Sequence, residues 1–77
     1  MTEQIIQILE RLTDHKGIER DTDLLEEDLL DSLAFIELIN ELEAAFHIEI
    51  QPTRVASDTW QTAERIAELV KTLQKTA

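Results

Sequence analysis

The sequence predicts a small all-α protein, a four-helix bundle with a long first loop and a short third helix. Three observations predict it. Apolar residues recur at three- and four-residue spacing in three segments. One Gly and one Pro in 77 residues leave few breaks. The one strand-like run has no partner with which to form a sheet. The chain is expected to form a single domain over residues 1–77. A domain of this size buries roughly 60% of the surface that its unfolded chain exposes, which leaves no room for a deep substrate pocket.

The first helix is expected from Thr2 to about Lys16, with Thr2 as cap and Glu3 in the first turn, where the helix dipole favours an acid. Ile5, Leu9 and Leu12 share a face, joined by Ile6 and Ile8. Gly17 is expected to end the helix, with Ile18 making the apolar contact that often follows a glycine C-cap. Residues 18–31 read as a long loop, because Asp21, Thr22 and Asp23 favour local side-chain to backbone bonds. The pairs Leu24-Leu25 and Leu29-Leu30 are expected to pin it to the core, and its end can form a helical turn.

The next helix is expected from Ser32 to about Phe46. Leu33, Ile36, Ile39, Leu42 and Phe46 form its core stripe, widened by Phe35 and Leu38, while Ala34, Glu37, Glu41 and Ala44 lie on other faces. His47-Ile48-Glu49-Ile50 reads as an extended connector with both isoleucines turned inward. A short helical turn is expected near Val55 and Ala56. The last helix, from about Thr62 to Gln74, is capped by Thr62 and buries Ile66, Leu69, Val70 and Leu73, with Lys71 and Lys75 near its C-terminal end.

The chain has no cysteine. Disulfides and thiolate metal sites are therefore excluded, and any thioester must take its sulfur from a cofactor. No apolar run reaches membrane-spanning length, and the N-terminus lacks a signal-peptide pattern, so a cytoplasmic protein with no transmembrane segment is expected. Residues 19–49 hold eleven acids and one base, which matches the net charge of −10 of the whole chain. A one-signed region steers partners of opposite charge and argues against nucleic acid. It also disfavours self-association along the second helix, so a monomer is expected. The plainer reading of the charge is a solubility device.

Catalysis reads poorly. His15 and His47 fall on different elements, and neither has a neighbour that would make it a base for a nucleophile. Asp21 and Asp23 have the spacing of a calcium loop, but Leu25, Glu26 and Ser32 stand where that loop needs an oxygen ligand, a glycine and a glutamate. No metal and no enzymatic activity are expected. The residue that stands out is Ser32, between Asp31 and Leu33, where the acidic loop meets an amphipathic helix. Its plainer reading is an N-cap, since Asp and Ser are both preferred there. A helix N-terminus also accommodates a phosphodiester, through free amides and the dipole. Leu33 beside it would then be partly exposed to a partner.

The run Leu30-Asp31-Ser32-Leu33, then Ile36-Glu37-Leu38, Leu42-Glu43 and Phe46-His47-Ile48-Glu49-Ile50, resembles the acyl carrier protein family over residues 5–73. The resemblance implies a four-helix bundle in which Ser32 covalently receives 4′-phosphopantetheine from coenzyme A. Within that family, Leu29-Leu30-Asp31-Ser32 and the Trp60, Thr62 pair are similar to the D-alanyl carriers. Trp60 read by itself is a core anchor. Three positions depart from the family pattern: Asp28 where glycine is common, His47 where aspartate is usual, and Gln51 where proline is usual, the proline being displaced to Pro52.

The implied function is to hold D-alanine as a thioester for teichoic acid D-alanylation in the cell wall. Another amino acid, or a fatty or polyketide acyl group, is the alternative cargo. The implied partners are a phosphopantetheinyl transferase, an adenylating ligase and a downstream acyltransferase. Asp31, Leu33, Glu37 and Glu41 are the expected partner-binding residues. An unmodified acidic helical interaction module is the competing class, and it would tolerate Ser32→Ala.

Overall fold

The computed structural model describes residues 1–76. Among them it holds three α-helices, two 3-10 turns and no strand: α1 (Thr2–Thr13), α2 (Ser32–Phe46), turns at Pro52–Arg54 and Ser57–Gln61, and α3 (Ala63–Thr76). The chain is all-helical as expected, but the helix count differs. The two 3-10 turns flank Val55 and Ala56, where a short third helix was expected. Pro52 can open a helical turn, but no apolar stripe follows to sustain one, and 3-10 runs are typically short.

The start of α1 departs from expectation. Thr2 lies inside the helix, and Met1 is the cap, with no side-chain bond; its carbonyl accepts the Ile5 N–H at 3.2 Å. The helix also stops at Thr13, short of Lys16. Asp14, and not Gly17, takes the left-handed C-cap position with φ 54°. Asp is among the few non-glycine residues that visit this region readily. Glu10 then secures the chain as it leaves: its Oε2 accepts the N–H groups of Gly17 (2.7 Å) and Ile18 (3.1 Å). Ile18 is buried as expected.

The core is formed by Ile5, Leu9, Leu24, Leu38, Leu42, Ile66 and Val70, all fully buried, with α1 packed against both α2 and α3. The expected stripe on α2 is corrected. Its buried face is Ala34, Leu38, Ile39 and Leu42, while Leu33 is 66% and Ile36 57% exposed. Ala34, Leu38 and Leu42 follow a strict four-residue step, and α2 has more apolar residues than one face can bury. In α3 the small residues Ala63 and Ala67 are buried beside Ile66 and Val70, while Leu69 and Leu73 are only partly covered.

Ile48 and Ile50 turn inward as expected. Glu43 fastens this connector: its carbonyl accepts the Ile48 N–H at 3.3 Å and its carboxylate the Ile50 N–H at 2.9 Å. In the long loop Leu24 is fully buried, Leu29 and Leu30 are half-buried, and Leu25 is exposed, so the first leucine pair is split. The turn after Leu24 reaches Asp28 at φ 57°, and His47 caps α2 at φ 55°. Two of the family departures therefore sit in the left-handed region, where Asp and His are among the better tolerated side chains. No helix among the described residues is long and apolar enough to cross a membrane.

Candidate functional site

Ser32 is the first residue of α2, and the geometry is set by its predecessor. Asp31 has extended backbone (φ −79°, ψ 179°), and its Oδ1 accepts the Ala34 N–H at 2.8 Å while its carbonyl accepts the Phe35 N–H at 2.9 Å. Asp31 is thus the N-cap. The plainer reading of Ser32 as an N-cap is corrected: Asp31, the other residue type preferred there, is the cap. The Ser32 side chain is exposed, and its hydroxyl makes no hydrogen bond among the described residues. The amides of Ser32 and Leu33 have no partner among the described residues either, so the helix N-terminus keeps free donors.

Two hollows flank this point. One, of about 320 Å³, is an apolar groove lined by Leu25, Leu30, Phe35 and Trp60, with Asp31, Ser32 and Ser57 on its rim. Trp60 is buried and meets Phe35 edge to face, with ring centroids 5.0 Å apart, so it serves as a core anchor that also floors the groove. The other hollow is acidic: Glu27, Asp28, Asp31 and Glu37 line it with His15 and Leu33. The serine stands where an apolar trough meets a negative surface.

The structure places Asp31, Leu33 and Glu37 beside Ser32 on this end of α2. Glu41 stands one turn further on and is drawn aside, because it pairs with Arg11 of α1 and is half-buried. Glu43 is bound to the connector, and Asp23 is bound within the loop. The acidic segment is therefore not one uniform face. Sequence reasoning missed Leu25 (47% exposed) and Ile36 (57% exposed), which stand out near the serine. The signal was present as the surplus of apolar residues on α2: whatever one face cannot bury must face solvent.

These residues fit a phosphopantetheine group. An unencumbered hydroxyl accepts a phosphodiester, free first-turn amides and the helix dipole favour its negative charge, and an apolar groove adjoins the point of attachment. The comparison with protein families agrees. Residues 3–70 match the family model described as phosphopantetheine attachment site. Among curated proteins, the D-alanyl carrier protein of Lactococcus lactis subsp. cremoris (strain MG1363) is 44% identical over 73 residues, covering 92% of each chain. That of Streptococcus pyogenes serotype M5 (strain Manfredo) is 37% identical, covering 94% of this chain and 92% of its own. That of Abiotrophia defectiva is 36% identical, covering 92% of each. By a match that spans most of its length, and by relatives aligned nearly end to end, the chain belongs to the family of phosphopantetheine-attachment carrier proteins.

Proposed function

We propose that this chain is a carrier for D-alanine, and that Ser32 is its single point of modification. The observation that carries the assignment of Ser32 is the division of labour at the α2 N-terminus. Asp31 makes the cap, so the serine hydroxyl is left exposed and without a hydrogen-bond partner among the described residues. Modification then removes no interaction of the fold. When bound, phosphopantetheine supplies a thiol, the group that a chain without cysteine cannot provide for a thioester.

In this reading Ser32 Oγ forms the new P–O bond, its proton leaves to a base, and adenosine 3′,5′-bisphosphate departs from coenzyme A. No side chain among the described residues is hydrogen-bonded to Ser32 to act as that base, so in this reading the transferase supplies it. The first-turn amides hold the phosphodiester anion, and the groove floored by Phe35 and Trp60 lies beside it. The chain itself then performs no catalysis. Its work is to present the serine, and Leu33, Glu37 and the neighbouring acids, to one partner after another. A phosphopantetheinyl transferase, an adenylating ligase and an acyltransferase acting toward a cell-wall polymer are those partners. The reading takes residues 1–77 as one carrier domain working in the cytoplasm.

The test is an intact-mass spectrum after incubation with coenzyme A, magnesium and a broad-specificity phosphopantetheinyl transferase, with Ser32→Ala alongside. The wild type is expected to gain one phosphopantetheine and the variant none. No gain by a folded wild type, while a control carrier is modified, would hand the lead to the unmodified interaction module. Loading of the modified protein by a D-alanine-activating ligase, compared with other amino acids, then tests the cargo.

A further inference from the structure

The groove beside Ser32 has walls from two stretches far apart in the chain, Leu25 and Leu30 in the loop, and Ser57 and Trp60 in the second 3-10 turn. Polar contacts just outside the groove join them. Asp23 accepts the Glu26 N–H on Oδ1 at 2.9 Å and the Gln61 Nε2 on Oδ2 at 2.9 Å. Leu24 donates its N–H to the Gln61 carbonyl at 2.7 Å. Gln61 therefore grips two consecutive loop residues, one through its side chain and one through its backbone. The Asp23 carboxyl is held below its ordinary value, first by the Glu26 N–H and next by the Gln61 amide, so the clasp has an ionised acceptor at neutral pH. Neither Asp23 nor Gln61 lines the groove.

We propose that Gln61, acting through Asp23, is a positioning residue for the modification of Ser32: it fixes the loop wall of the groove and so the setting in which the transferase meets the serine. The proposal rests on the carrier reading. Removing the Gln61 side chain leaves the buried Leu24 and its backbone bond in place, so the fold persists while the Asp23 turn is released more often. A transferase that recognises only the clasped loop sees an affinity reduced by the clasped fraction, which raises KM and leaves kcat unchanged. Loss of one hydrogen bond of this kind lowers the ratio of clasped to released loop roughly three- to tenfold, and that factor is the upper bound on the rise in KM.

The test is the steady-state transfer of phosphopantetheine from coenzyme A, followed by intact mass, with hydrogen exchange at the Glu26 amide as a second readout. Gln61→Ala is expected to raise KM measurably, by at most about tenfold, with kcat within about twofold, and to speed exchange at Glu26. Gln61→Glu sets a second carboxylate against Asp23. Its KM is expected to exceed that of Gln61→Ala at pH 7.5, and its ratio to wild type to narrow as the pH is lowered and one of the two carboxylates takes up a proton. If Gln61→Ala fails to fold, Asp23→Asn, which keeps the size and removes the charge, is expected to show a smaller rise in the same direction. Unchanged KM in folded variants whose Glu26 amide exchanges faster would show a merely structural clasp and overturn the proposal. Absence of any mass gain by the wild type would instead overturn the carrier reading, and this proposal with it.

Discussion

α1 and α2 lie against one another and treat their apolar residues differently. α1 turns Ile5, Ile8 and Leu9 inward and leaves no large apolar side chain exposed within it. α2 buries Ala34, Leu38, Ile39 and Leu42, yet leaves Leu33 and Ile36 in solvent. A helix that served only the fold would have polar residues at those two places. The difference separates a supporting helix from one with two tasks. One face of α2 holds the bundle together, and the opposite side of its first two turns, beside Ser32, presents an apolar and acidic surface outward.

The sharpest way to break this comparison is to truncate one residue of each kind on α2. Leu38→Ala, at a fully buried site, is expected to lower the unfolding free energy by about 2–5 kcal/mol in urea denaturation. Ile36→Ala is expected to change it by less than about 0.5 kcal/mol while slowing partner enzymes. Equal losses at the two sites would show that Ile36 is packed in solution and that α2 has a single role.

A smaller effect tests the helix terminus. Asp31→Ala removes the cap bond to Ala34 and is expected to cost about 1 kcal/mol of stability, whereas Ser32→Ala is expected to cost less than about 0.5 kcal/mol. A cost at Ser32 matching that at Asp31 would move the cap to the serine and remove the argument for a free hydroxyl.

The smallest effect sharpens the acidic side. Glu37 is exposed and makes no ion pair among the described residues, while Glu41 is already paired with Arg11. At low salt, Glu37→Lys is expected to slow ligase loading by about three- to tenfold, and Glu41→Lys by less, with both effects shrinking as salt rises. Equal slowing would place both glutamates in the interface and make the Arg11 pair irrelevant to recognition.

Much of this arrangement was legible in the sequence. The bounds of α2, the inward isoleucines of the connector, the Thr62 cap and the candidate serine follow from spacing and capping preferences. Thr62 Oγ1 does accept the Arg65 N–H, at 3.2 Å. What was not legible has specific physical causes. Asp31 and Ser32 are equally good caps by type, and only the backbone torsions decide between them. Gly17 was the natural stop for α1, but Asp14 can take the left-handed conformation and does so first. The face of α2 was misread because apolar residues occupy most of its circumference, so periodicity alone cannot say which go inside. The 3-10 turns are too short for any period to show. The Arg11–Glu41 pair and the Gln61 clasp join residues distant in the chain, where sequence spacing has no bearing.

The Asp31 cap has a consequence for how traffic through the protein is directed. On the reading proposed above, the serine can be bare, modified or loaded without loss of any hydrogen bond of the fold among the described residues. On that reading the fold by itself gives partner enzymes no mark that separates an empty carrier from a full one. The proposed carrier would then leave the order of delivery to the chemistry at the tip of the arm, and the protein would be the same address at every stop.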